Sequence, residues 1–128
     1  MNEQIKQVYE KINDLIVDYE KHHDELEHKY PDEKYMNDVR VMTEKCYWNG
    51  QIHCLCYLKN FVESIADEIS VNDIQNFINK RMNELWEIIP DYDTVINEKH
   101  TKMDSRNLGV YIGYEEVADF IEKSKNKK

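Results

Sequence analysis

Glycine and proline are scarce: three and two residues respectively in a chain of 128. That shortage excludes architectures built on hairpin turns, glycine-rich phosphate loops or flexible linkers. Cysteine is also rare and odd in number. Cys46, Cys54 and Cys56 share one apolar stretch, and none forms the Cys-x-x-Cys turn that structural zinc favours. A disulfide framework is therefore not expected, and the thiols read as small buried apolar groups in a reducing cytoplasm. No signal-peptide pattern opens the chain. No apolar run approaches the ~20 residues that cross a bilayer, so no membrane contact is expected.

Positive charge is short as well. The formal net charge is −9. Residues 1–40 carry eleven acids and six bases, residues 41–99 ten and five, and residues 100–128 five and six. Binding to phosphates rests on Lys and Arg displacing counterions, so the first two-thirds should repel nucleic acid. Only the segment around Arg106 and the lysine-rich tail has basic character, and no helix-turn-helix with a basic recognition face is evident. A protein partner with a basic surface, or solubility alone, accounts for such charge.

What the chain does have is helix. Ile5, Val8, Ile12, Leu15, Tyr19, His22 and Leu26 recur at alternating intervals of three and four with no Gly or Pro between them. This narrow seam is of coiled-coil type and predicts one helix from about Asn2 to Lys29, roughly 40 Å long. Such a seam lies along another helix, in the same chain or in a second copy; a homodimer through these seven residues is expected. Tyr30-Pro31 breaks the helix, and Asp32 and Glu33 suit the first turn of the next.

That second helix is predicted from about Asp32 to Ile69. Its first half carries a stripe of Tyr35, Val39, Met42 and Cys46, and Gly50 predicts a kink or a close helix crossing. Beyond Gly50 two stripes, Cys54-Leu58-Phe61-Ile65 and Trp48-Ile52-Leu55-Val62-Ile69, make the helix apolar on two faces and place it at the core. Ser70-Val71-Asn72-Asp73 reads as a capping box. It opens a third helix with an apolar face of Val71, Ile74, Ile78, Met82, Leu85 and Ile89, closed by Pro90. Asp91–His100 suits a short helix. Leu108–Gly113 is the one strand-like run, predicted as an extended packing segment at 108–112 or an edge paired across a dimer. Tyr114–Ser124 reads as a short final helix, and residues 123–128 as a frayed tail. No domain boundary or repeat interrupts 1–128. The expectation is a single, elongated all-α bundle with a long N-terminal helical hairpin.

Three clusters carry ligand-type atoms. Glu20 to His23 and Glu25 to His28 have the Glu-x-x-His spacing of di-metal bundles, but no later helix repeats it. Cys46, His53, Cys54 and Cys56 hold zinc-compatible atoms, yet Cys54 and Cys56 point about 200° apart around a helix. Glu84-x-x-Glu87 followed by Glu116-x-x-Asp119 is similar in outline to the paired acidic motifs of all-α nucleotide pyrophosphatases. That resemblance implies a magnesium-dependent phosphohydrolase in which Glu84, Glu87, Glu116 and Asp119 would hold the metal.

The leading expectation is a non-catalytic binder with no cofactor and no resident metal. Asp18, Glu20, Asp24, Glu25, Glu27, Asp32 and Glu33 crowd the first helix break and form a candidate acidic face that could imitate phosphates in a basic channel. Tyr92, Tyr111 and Tyr114 form a second candidate surface, since exposed tyrosine is common at interface hot spots. In its small size, acidity and helicity the chain resembles phage-encoded inhibitors of host nucleic-acid machines, anti-CRISPR proteins among them. The resemblance implies an inhibitory protein–protein contact.

Overall fold

The computed structural model describes residues 2–65, 67–68, 70–88 and 102–126. They form α1 (Glu3–Lys29), α2 (Asp32–Tyr35), α3 (Val39–Ile65), α4 (Val71–Trp86) and α5 (Lys102–Asn126), with no strand among them. The all-α expectation is met. The predicted helix over 91–100 lies outside the described residues.

Several helix boundaries have a local cause. Asn2 opens α1 by accepting the Ile5 N–H on its side-chain oxygen at 2.9 Å. At the far end the Tyr30 N–H closes on the Leu26 carbonyl at 2.8 Å, and Pro31 stops further winding. The long second helix of the sequence reading is two pieces. Asp38 caps α3 by accepting the Val41 N–H at 3.2 Å, so the chain restarts there instead of continuing from Tyr35. The restart changes which face is inward. Val39, expected in the apolar stripe, is 64% exposed, while Val41, Thr43 and Lys45 are buried. At α4 the Asp73 carboxylate accepts the Ser70 N–H at 2.8 Å, the predicted reach-back of a capping box.

The largest departure concerns residues 102–113. The run read as extended at 108–112 is the interior of α5, which begins at Lys102 and not at Tyr114. Its two glycines are helical because α3 lies against them. A Cβ on Gly109 would overlap the Tyr47 carbonyl oxygen, one on Gly113 the Cys54 sulfur, and one on Gly50 the Arg106 carbonyl oxygen. Beside this crossing the Ser105 hydroxyl donates to the Thr43 carbonyl at 2.7 Å, both side chains being buried. Of the two sequence readings of Gly50, the close crossing is the one observed. Helix α5 runs to Asn126, and the Lys125 ammonium donates to Asn72 and Gln75 of α4, each at 2.6 Å.

Cross-helix contacts fix the directions. Tyr9 bonds Glu63 and Lys45 meets Glu27, so α1 and α3 are antiparallel. Ser105 faces Thr43 and Gly113 faces Cys54, so α5 runs parallel to α3. Lys125 reaches Asn72 while Tyr111 neighbours Trp86, so α4 is antiparallel to α5. The second and fourth long helices, which sit on a diagonal in an up-down-up-down bundle, here touch backbone to backbone. Helix α1 packs against both members of that pair, and α4 packs on α5.

One apolar core joins all four long helices: Ile5, Val8 and Ile12 from α1, Leu55, Leu58 and Val62 from α3, Ile74 and Ile78 from α4, Tyr114, Val117 and Ile121 from α5. This corrects the expected dimer seam. Ile5, Val8, Ile12, Leu15 and Tyr19 are buried within their own chain, so the seam is filled by α3 and α5 and is not free for a second copy. His22 and Leu26 depart from it. The His22 side chain is 47% exposed and lies flat on the Trp48 ring at 4.5 Å; Leu26 is half-buried.

Candidate functional site

The acidic residues around the first helix break fall into two groups. Glu27 and Asp32 are already engaged by Lys45, whose ammonium lies 3.4 Å from the Glu27 carboxylate and 2.7 Å from that of Asp32. The same ammonium donates to the Tyr30 carbonyl at 2.6 Å. One lysine thereby ties the end of α1, the proline turn and the start of α2 onto α3. Its accessibility is low because these oxygens cover it at the rim of the bundle, not because it lies deep in the apolar core. Loss of water lowers its pKa, but the Asp32 and Glu27 carboxylates outweigh that loss and hold it raised.

Asp18, Glu20, Asp24, Glu25 and Glu33 remain exposed. Asp18 has His22 at 3.9 Å as a loose neighbour. Glu20 and Asp24 are one turn apart on the helix, roughly 6 Å along its axis. Lys21 and Lys29 share this outer face with Val17, which is 69% exposed. Over residues 17–29 five acids stand against two lysines, so the face keeps a negative balance. Because α1 is anchored along its whole inner side, these carboxylates are carried on a fixed frame.

The tyrosine surface divides differently. Tyr92 lies outside the described residues. Tyr114 is 1% exposed and belongs to the core, where its ring meets Phe77 edge-on at 6.4 Å. Burial pushes its phenol up to about 12, against the Arg81 guanidinium, which hydrogen-bonds it and lowers it. Tyr114, expected at the surface, lies inside α5 and faces the core. Tyr111 is half-buried, one turn earlier on α5, and its ring centroid is 5.8 Å from that of Trp86.

Trp86 was not singled out by the sequence, in which it follows the apolar Leu85. It is 70% exposed, and Ile88 just beyond it 60%. Asn79, Met82, Asn83 and Trp86 line one side of a cleft of about 420 Å³ whose other side is Tyr111. The spacing 79, 82, 83, 86 is one helix face, a signal present in the sequence but masked by the stronger apolar stripe beside it.

The candidate metal residues are not drawn together. Among the described residues no three His, Cys, Asp or Glu side chains gather in a way that could hold an ion. His23 faces Glu27 at 3.7 Å, and His53 accepts a hydrogen bond from Arg106 at 3.0 Å through Nδ1. An arginine always donates, so that contact needs an unprotonated Nδ1. The Cys54 thiol is buried, donates to the Gln51 carbonyl at 3.2 Å, and is pushed up by burial; Cys56 is shifted the same way. Thiols so shifted are poor nucleophiles. The four carboxylates of the phosphohydrolase reading are dispersed. Glu84 pairs with Arg81 at 2.9 Å on α4, Glu87 is exposed beyond that helix, and Glu116 and Asp119 are exposed on α5, where the Glu116 charge adds to the burial that raises the Tyr19 phenol. No described helix is long and apolar enough to cross a membrane. Comparison of the chain with protein-family models, curated proteins and solved structures finds no match.

Proposed function

We propose that this protein acts by binding a protein partner with a basic surface. The observation that supports this reading is the outer face of the C-terminal half of α1, where Asp18, Glu20, Asp24 and Glu25 stand exposed on a helix whose inner side is fixed. A rigid row of carboxylates raises the rate of encounter with a cationic surface and favours one register of docking. Glu27 and Asp32 drop out of the binding set, since Lys45 holds them; Glu33, exposed on α2, stays in it. In its finer form the proposal is an inhibitor whose acids take the place of phosphates in a basic nucleic-acid channel.

The test is the triple variant Glu20→Lys/Asp24→Lys/Glu25→Lys, with circular dichroism confirming that helix content is kept. Immobilised wild-type chain should retain a basic protein that elutes with rising salt. The triple variant should retain none of it, and heparin, a polyanion, should displace it from the wild type. Retention that survives the triple reversal overturns the proposal.

A further inference from the structure

We propose that the cleft between α4 and α5, walled by Trp86 and Tyr111, is a docking site for an arginine side chain presented by a protein partner. It rests on the reading of the chain as a binder of basic proteins, but places a contact on a face that α1 does not reach.

The aromatic walls come first. Trp86 leaves 70% of its surface in water, and its ring is inclined 40° to that of Tyr111 at 5.8 Å, so the pair forms an open V. Large exposed aromatics bordering a cleft are the usual anchors of interfaces. The α4 side adds the Asn79 and Asn83 carboxamides, which can accept N–H donors through oxygen, and the apolar Met82.

Charge then selects the occupant. Glu115 lies one turn beyond Tyr111 on α5; burial raises the Tyr111 phenol and the nearby Glu115 charge adds to it. Its own carboxyl is raised by burial and by Asp119 and Glu116, and no cation among the described residues relieves it. The nearest arginine, Arg81, is committed to Glu84 and Tyr114. The cleft therefore combines two ring faces and two amide acceptors, with the Glu115 carboxylate one turn along α5 from its Tyr111 wall. A guanidinium meets all three: it is planar, weakly hydrated, stacks on aromatic faces and carries five N–H donors. A lysine ammonium, compact and strongly hydrated, stacks less well.

The chain has two tryptophans, so a ¹⁵N-labelled sample gives two indole N–H signals, Trp86 reporting the cleft and Trp48, stacked on His22, reporting the α1 side. The probe is acetylated tri-arginine amide, compared with the same peptide carrying citrulline, which keeps the shape and loses the charge. The arginine peptide should shift the Trp86 indole saturably; the citrulline peptide should leave it in place. Glu115→Gln should weaken the peptide about fivefold, and Trp86→Ala should abolish the shift of the Tyr111 amide. An unmoved Trp86 indole, an equal response to citrulline, or unchanged affinity in Glu115→Gln overturns the proposal. Shifts confined to residues 18–25 would sink the cleft and leave the α1 face standing; a Trp86 shift without them would do the reverse.

Discussion

Lys45 shows how a single side chain can organise a turn. Three oxygens from three successive parts of the chain converge on one ammonium, and its removal would leave two carboxylates facing each other and a peptide carbonyl without its partner. Lys45→Met keeps the length and apolar stem of the side chain. It should still lower stability by about 2 kcal/mol, read as a shift of the urea midpoint. The sequence hid this role, because a lysine in an otherwise apolar helix has no visible partners when its acids lie thirteen and eighteen residues away. Tyr114 carries a pH signature. Its phenol is raised from 10.0 to about 12, so below pH 10 it is neutral whether folded or unfolded and contributes no pH dependence. Between pH 10 and 12 the unfolded chain loses the proton first, and stability falls as pH rises. Tyr114→Phe should flatten that alkaline fall without removing it, because burial also raises Tyr19. Glu115 acts with the same sign in a lower pH window. A carboxyl raised in the folded state costs stability once pH exceeds its unfolded value, so Glu115→Gln should raise the melting temperature at pH 7 and change little in acid.

Among the elements, α5 is the least legible in the sequence. Val110, Tyr111 and Ile112 favour strands, and Gly109 and Gly113 weaken an isolated helix by about 1 kcal/mol each, so local propensity argued for an extended run. Tertiary contact reverses that judgement, because only a glycine lets α3 come so near, and the matching Gly50 is far away in sequence. Glycine to alanine in an open helix stabilises; here Gly109→Ala should destabilise by more than about 3 kcal/mol, since the methyl meets a backbone oxygen that cannot move alone. Gly113→Ala meets the Cys54 sulfur instead, so adding Cys54→Ala should restore part of the loss in a double-mutant cycle. By contrast α1 was readable almost residue by residue, because a 3-4 spacing reports directly on which side is buried. The same holds for the start of α4, where Ser70 and Asp73 form a purely local device. The cleft beside Trp86 was not readable: exposure depends on which neighbour fails to cover a side chain, and hydropathy carries no record of it.

For the molecule as a whole, the seam of α1 decides how the loss of a core residue will be felt. A seam shared between two copies would make stability depend on protein concentration. With Ile12 buried among α3 and α5 of its own chain, Ile12→Ala should cost about 2–4 kcal/mol, equally at micromolar and at tenfold higher concentration. Calorimetry at the two concentrations checks this. A melting temperature that climbs with concentration would return the seam to an interface between copies. The net charge of −9 acts at the same scale, and added salt should raise stability by screening acids that repel one another.

The backbone contact between α3 and α5 also sets an order of events during synthesis. Thr43 waits for Ser105, which lies 62 residues further on. At about 5–20 residues per second a ribosome needs roughly 3–12 s to make that interval. Through those seconds α1 and α3 can close as a hairpin, but the flank of α3 around Gly50 and Cys54 has nothing to lie against. The nascent chain thus offers that flank to proteases and chaperones until α5 is made and covers it.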